Sequence, residues 1–282
     1  MIDNLFLCVG AQKAGTTWLH SQLENHEDIS FSDVKEVHYF NTIHNGSILL
    51  TRRKVEHLER LIKNNKHSLE RYFSDLSSGK KVDAGIDRLL SPVDDEWYIS
   101  LFSNKTGKYA ADFSPEYALI GKEGFSNVKR ISENQKIIYM MRDPISRAIS
   151  AIKYYYKMHN TNISEVPIES MRALAQSNLI LNMSMYDITI KELRSCFNQD
   201  QVLYMFYENV MANKQESIDT VCNFLDISKV SIPEAQLSRR VNVTEDFDID
   251  GDIISLLREK LANTYVYMKQ EFKLPEKWYN DI

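Results

Sequence analysis

Residues 9–18, VGAQKAGTTW, constrain the fold more than any other part of the chain. They follow a short apolar run, residues 5–9, that reads as a buried parallel strand. They lead into residues 16–25, which read as a helix. A strand, a small-residue loop and a helix start make an anion site, because loop N–H groups and the positive end of the helix dipole meet at one spot. Gly10 and Gly15 keep the glycine separation of a Walker A loop, but Thr16 and Thr17 stand where its Lys and Ser/Thr would. The lysine has moved into the loop, to position 13. The stretch is a phosphate-type cradle that departs from that of a P-loop NTPase.

The rest of the chain alternates strand and helix patterns, which predicts an α/β fold with a central, mostly parallel sheet and helices on both faces. Strands are expected at residues 5–9, 29–31, 108–112, 136–141 and 201–206. Helices are expected at 52–64, 68–76, 94–102, 124–132, 144–159, 168–177, 185–197, 214–225 and 250–270. Residues 34–41 and most of 228–243 read as loop. No repeat or linker divides the chain, so a single domain over 1–282 is expected. With 43% of its 282 residues hydrophobic it can bury a sizeable core.

A net charge of −5 argues against a nucleic-acid binder that relies on global charge, and leaves room for a local basic pocket. Cys8, Cys196 and Cys222 are scattered, with neither metal spacing nor a disulfide pattern. A reducing compartment, no metal and a cytoplasmic location are the expectation. The apolar start is too short for a signal segment, and no stretch approaches the roughly 20 apolar residues of a membrane helix.

A second strand–loop–helix unit follows at residues 139–151, YMMRDPISRAISA. Asp143 and Pro144 form an N-cap and first-position pair. Arg142 at the strand end and Ser150 on the helix can converge on one anion, the first as a bidentate fork and the second as a hydroxyl donor. Ligands of open α/β sheets sit outside the carboxyl ends of the strands. Two anion sites at two such ends suit a ligand with two separated phosphate-like groups.

These stretches resemble the sulfotransferases that use 3′-phosphoadenosine 5′-phosphosulfate (PAPS) and release adenosine 3′,5′-bisphosphate (PAP). AQKAGTTWLH looks like their 5′-phosphosulfate loop and YMMRDPISRAISA like their 3′-phosphate segment. KEVHYFN, residues 35–41, resembles the KE-x-H-F-F-D segment of the carbohydrate and heparan-type branch. The resemblance implies that Lys13 stabilises the leaving phosphate. It implies that Ala14, Gly15, Thr16 and Thr17 hold the phosphosulfate and that Trp18 stacks on adenine. Arg142 and Ser150 would grip the 3′-phosphate, with Arg239 and Arg240 of RRVN in a loop over the nucleotide. Glu36 matches the branch's general base, with His38 beside it and Lys35 near the sulfuryl group; Ser114 and Tyr117 would line the acceptor pocket.

The chemistry also follows from the residues. Sulfuryl transfer parallels phosphoryl transfer, an in-line displacement that needs cationic and N–H stabilisation, which Lys13 and the loop supply. The acceptor hydroxyl needs a base. Glu36 and His38 both qualify, and in an extended segment their side chains would face the same way.

Asn41 replaces the branch's usual Asp, Asp112 and Phe113 stand where it tends to carry Lys, and its two-cysteine loop is absent. A soluble bacterial member acting on a sugar, glycolipid or small-molecule alcohol is the resulting expectation. A nucleoside or small-molecule kinase, or a non-catalytic nucleotide-binding protein, would also use a cradle; the displaced lysine speaks against the kinase. The tyrosines at 154–156 and the Met/Leu stretch 179–185 read as core, with one tyrosine able to face the nucleotide; Glu208 reads as structural.

Overall fold

A computed structural model describes residues 1–103, 106–239 and 247–280. Five strands form one sheet: β1 (Ile2–Gly10), β2 (Ile29–Phe31), β3 (Tyr109–Phe113), β4 (Ser132–Met141) and β5 (Val202–Phe206). Their order is β2-β3-β1-β4-β5, and every neighbouring pair is parallel. All five expected strands are present, and the sheet is flanked by helices as an α/β reading requires. β1 and β4 are longer than their apolar runs. Their first residues are partly exposed yet continue the ladder from Ile2↔Ser132 onward, because backbone pairing does not need an apolar side chain.

The core follows from these two strands. Leu5, Phe6, Leu7, Ile137, Ile138, Met140 and Met141 are fully buried. Each such side chain contributes about 1.5–3 kcal/mol of transfer free energy, which anchors the centre of the sheet. Because β1 lies between β3 and β4, the chain leaves β1 toward one edge and later returns on the other side. This switch of direction opens a crevice at the carboxyl ends of β1 and β4. The loop after β1 is tied there by the Ala11 N–H, which donates to the Met140 carbonyl at 2.6 Å.

Between β1 and β3 the chain forms, among other helices, α1 (Thr16–Leu23), which opens at the crevice, α2 (Tyr39–Asn45) and α3 (Leu49–Ser77). The sequence reading of 34–41 as loop misses the start of α2. Tyr39 and Phe40 are 1% and 0% exposed; Tyr39 stacks on Tyr98 at 4.7 Å and Phe40 meets Tyr117 edge-on at 5.1 Å. Tertiary burial of these rings, rather than local periodicity, makes the helix. The two expected helices at 52–64 and 68–76 form α3, interrupted at Asn65, whose φ of −151° and ψ of 52° are not helical. The second half of α3 packs Leu69 and Tyr72 on Ile86 in a small apolar cluster apart from the main core. Ile86 belongs to a helix the sequence reading misses, Ala84–Leu90, which Asp83 caps by accepting from the Ile86 N–H at 2.9 Å. Among the described residues, no helix is long and apolar enough to cross a membrane.

Candidate active site

The crevice holds a cavity of about 590 Å³. On its walls lie Lys13, Gly15, Thr16, Thr17 and Trp18 from the first unit, Arg142 and Ser150 from the second, and Glu36 and Arg239 from more distant segments. Residues 130 positions apart in sequence thus face one space, because β1 and β4 are neighbours.

The cradle is a backbone construction. Lys13 and Gly15 adopt left-handed φ values of 71° and 93°, flanking Ala14. Alternation of this kind turns successive N–H groups toward one concavity. Gly15 is required: a Cβ there would lie 2.8 Å from the Tyr207 ring at a φ that side chains rarely adopt. One expectation is corrected here. Ala14 is fully buried, and its N–H donates to the Ala11 carbonyl at 3.1 Å, so it closes the loop rather than facing an anion.

Lys13 carries its ammonium 4.2 Å from the centre of the Tyr154 ring. Burial, reinforced by repulsion from Arg142, Lys157 and Arg147, lowers its pKa to about 8. Several cations around an enclosed space make a site that an anion would relieve. Tyr154 is the one tyrosine of the 154–156 run on the cavity wall, while Tyr156 is buried in the core.

Arg142 spreads over the Tyr207 ring, 5.0 Å from its centre. Its neighbour Asp143 is not its surface partner. Asp143 is 2% exposed, accepts from the Ser146 N–H at 2.6 Å as helix cap, and accepts from the Tyr265 hydroxyl at 2.5 Å. Glu208 secures the same turn, accepting from the Asp143 N–H and from Trp278 Nε1, each at 3.0 Å. Its structural reading holds.

Arg147, whose role the sequence leaves open, is wholly buried. It donates to Ser184 Oγ and the Ile180 carbonyl, each at 2.5 Å, and to the Gln12 carbonyl at 3.4 Å. It therefore braces the cradle loop from beneath, and burial brings its pKa down to about 10. Most of the 179–185 stretch is core, as read: Ile180, Leu181 and Met183 are buried, though Leu179 is exposed.

Trp18 is 5% exposed, and its Nε1 donates to the Leu237 carbonyl at 3.2 Å. Gln236 Nε2 donates to the Ser21 carbonyl at 3.1 Å. These two bonds dock helix Glu234–Leu237 on α1 and bring Ser238 and Arg239 to the cavity. That helix lies in the stretch read as loop. Arg240 and Asn242 lie outside the described residues.

The opposite wall carries Glu36. The segment is not extended: Glu36 and His38 both have left-handed φ, 55° and 59°. They still meet, with Glu36 Oε2 3.7 Å from His38 Nε2, because the tight turn folds one side chain back on the other. Glu36 also takes an ion pair from Arg53 Nη2 of α3 at 3.2 Å, and the same guanidinium donates to the Lys35 and Glu36 carbonyls. Burial pushes the Glu36 carboxyl up, but His38 and Arg53 outweigh it and hold the group below its ordinary value. Glu36 is thus ionised at neutral pH.

Four expectations change on this wall. His38 is 2% exposed and lies behind Glu36 rather than on the cavity surface. Ser114 and Tyr117 are fully buried and also stand behind it: Ser114 Oγ accepts from the His38 N–H at 3.1 Å, and the Tyr117 hydroxyl from the Tyr39 N–H at 2.9 Å. Both hydroxyls donate to Asp112, at 2.7 and 2.6 Å. Lys35 is exposed and off the cavity wall. Tyr207 is one of several wall residues that sequence reasoning missed, among them Gln12, Met211 and Lys214; for Tyr207, its position just past the apolar strand 202–206, level with Arg142 past β4, was the available signal.

Among the described residues, no three His, Cys, Asp or Glu side chains gather into a metal-holding group. What the crevice offers is a pair of cations, Lys13 with Arg142, and an ionised carboxylate, Glu36, lining the same cavity. That arrangement can hold a polyanion and take a proton beside it.

The chain is also similar to known proteins. Human carbohydrate sulfotransferase 15 is 22% identical over 255 residues, covering 80% of this chain and 44% of that protein. The mouse protein of the same name is 22% identical over 257 residues with the same coverage. The chain thus spans about half the length of the curated relatives it matches. The fold matches a sulfotransferase from Alicyclobacillus acidocaldarius with a TM-score of 0.69 at 17% identity, covering 99% of this chain and 100% of that one. It also matches the sulfotransferase domain of the Synechococcus PCC 7002 olefin synthase, with a TM-score of 0.54 at 15% identity, covering 97% and 96%. A family model described as "Sulfotransferase domain" matches residues 3–243, and on that match the chain belongs to the sulfotransferase family.

Proposed function

We propose that the cavity holds PAPS and that a sulfuryl group passes from it to a hydroxyl of a carbohydrate acceptor, leaving PAP. The observation that carries this reading is the meeting of two anion sites and one carboxylate in a single cavity: Lys13 with Gly15–Thr17, Arg142 with Ser150, and Glu36 facing them. The residues fit such a nucleotide. Gly15, Thr16 and Thr17 face the cavity at the start of α1, where the N–H donors of a helix start suit a phosphate-sized group, and a second cationic site at Arg142 answers a second phosphate. PAPS supplies the activated sulfuryl group and its phosphate leaving group.

The chain's own residues supply the rest. Lys13 neutralises charge that grows on the leaving phosphate, and the first turn of α1 supplies N–H donors with the helix dipole behind them. Arg142, Ser150 and Arg239 fix the far phosphate, which orients the donor for in-line transfer. Glu36 takes the acceptor proton. Of the two candidate bases, Glu36 is the one on the cavity surface, so the role goes to it and not to His38. The carbohydrate acceptor rests on the name of the human and mouse relatives and on the resemblance of KEVHYFN to the carbohydrate branch. Cys8, Cys196 and Cys222 are all unpaired and buried, which agrees with a reducing, cytoplasmic setting.

The test is binding followed by turnover. PAP should raise the melting temperature, and ATP with magnesium much less; the reverse order would overturn the nucleotide assignment. With labelled PAPS and a panel of sugar acceptors, Lys13→Ala should lose about 100-fold or more in transfer while still binding PAP. Glu36→Gln should lose a similar amount. Unchanged turnover in Glu36→Gln would remove Glu36 as the base.

A further inference from the structure

Behind Glu36, His38 stands between two carboxylates. Glu36 Oε2 lies 3.7 Å from Nε2, and Glu116 Oε2 lies 3.8 Å from Nδ1. Only Glu36 is on the cavity wall. Buried Nδ1 has no hydrogen-bond partner, and neither has the buried Oδ1 of Asn41. Asn41 Nδ2 donates to that same Glu116 oxygen at 3.0 Å. A buried imidazole nitrogen without a partner is costly unless it carries a proton toward a nearby anion. Glu116 is the anion within reach.

We propose that Glu116 is a positioning residue for sulfuryl transfer: it holds His38 from behind and, by the charge it sets against Arg53, tunes how strongly Glu36 takes the acceptor's proton. The inference rests on the assignment of Glu36 as base. In the step itself the acceptor O–H bond breaks and its proton moves to the Glu36 carboxylate. The freed electron pair forms the new oxygen–sulfur bond as the bond from sulfur to the bridging oxygen breaks.

The charges around His38 come from every side. Glu36 and Glu116 flank it, Asp112 lies beneath, and Arg53 reaches in from α3. Glu116 is pushed up by burial and by Glu36, against the pull of His38 and Arg53, whereas Glu36 is held down. The pair is graded, with the stronger proton holder away from the cavity. Removing the charge at 116 takes away a like charge from beside Glu36 and leaves Arg53 less opposed, which weakens Glu36 as a base.

The decisive comparison is Glu116→Gln alone against Glu116→Gln with Asn41→Asp. The double variant keeps an amide–carboxylate bond between the two positions and moves the charge from one to the other. Glu116→Gln should lower kcat about tenfold and shift the acid limb of the pH profile to lower pH, with the melting shift on PAP unchanged. The double variant should restore most of kcat and the limb. A single variant with wild-type kcat and pH limb overturns the proposal. So does a loss that the double variant fails to restore while PAP still stabilises both proteins, because that pattern is a packing defect. Glu36→Gln, measured beside them, separates the two readings: if it keeps full turnover, the assignment of the base falls first; if it is inactive and Glu116→Gln is not impaired, only the role of Glu116 falls.

Discussion

At the donor end of the cavity, residues 10–17 close largely on themselves; at the acceptor end, Glu36 is held by groups brought from elsewhere in the chain. Both ends place a non-glycine residue in the left-handed region, Lys13 at φ 71° and Glu36 at φ 55°. Such a residue costs on the order of 1 kcal/mol, so each must be held. The cradle is held by main-chain bonds and a glycine, with Arg147 beneath. The turn at Glu36 is held by Arg53 of α3, Ser114 after β3 and Tyr117. Backbone supports are set by a few consecutive residue types, whereas side-chain supports depend on how three separate elements dock. The donor end is therefore a local device and the acceptor end a tertiary one.

Three measurements would break or sharpen that contrast. The largest effect belongs to Gly15→Ala, whose methyl meets Tyr207 at a φ of 93°. Clash and strain together should weaken PAP binding roughly 100-fold, read by calorimetry. Binding at wild-type strength would show that the cradle is not a backbone device. Next comes Arg53→Met, which keeps the aliphatic stem and removes the clamp on Glu36. We expect kcat about tenfold lower with PAP affinity unchanged, since only the tertiary end is touched; an equal loss in PAP affinity would mean that the two ends are not separately built. The smallest effect is in pH. Lys13, lowered to about 8, is charged below that value and neutral above it. An anion binds the charged form, so PAP affinity should be level below pH 8 in this respect and fall by up to about tenfold per unit above it. Lys13→Met should flatten that fall, and an unchanged slope in the variant would assign the titration to another group.

The same contrast explains what was legible beforehand. Lys13, Gly15, Thr16, Thr17, Arg142 and Ser150 could be read because strand, loop and helix lie in one stretch, and these six reach the cavity wall while Ala14 does not. Each strand could be placed from its apolar run, though not its full length. Arg147 could not be read as a buried brace, since its place depends on Ser184 and Ile180, more than 30 residues on. Ser114, Tyr117 and His38 were read at the cavity surface, but sequence spacing does not reveal depth, and all three stand one layer behind Glu36. Glu36 and His38 were expected together for a reason the backbone does not use; a left-handed turn, not an extended strand, joins them. Helix α2 escaped notice because its aromatic residues become a buried face only when Tyr98 and Tyr117 arrive.

Arg53 has one more implication. It sits on α3, a helix with a largely exposed charged face and a small apolar cluster of its own. Through Arg53 that helix reaches the cavity wall at Glu36. Here the same helix grips Glu36, the proposed base. Changes that reshape α3 also move the clamp on Glu36, so the packing of a largely exposed helix is geared to the carboxylate on the cavity wall. Anyone grafting a foreign helix onto this scaffold would need to carry Arg53 across with it.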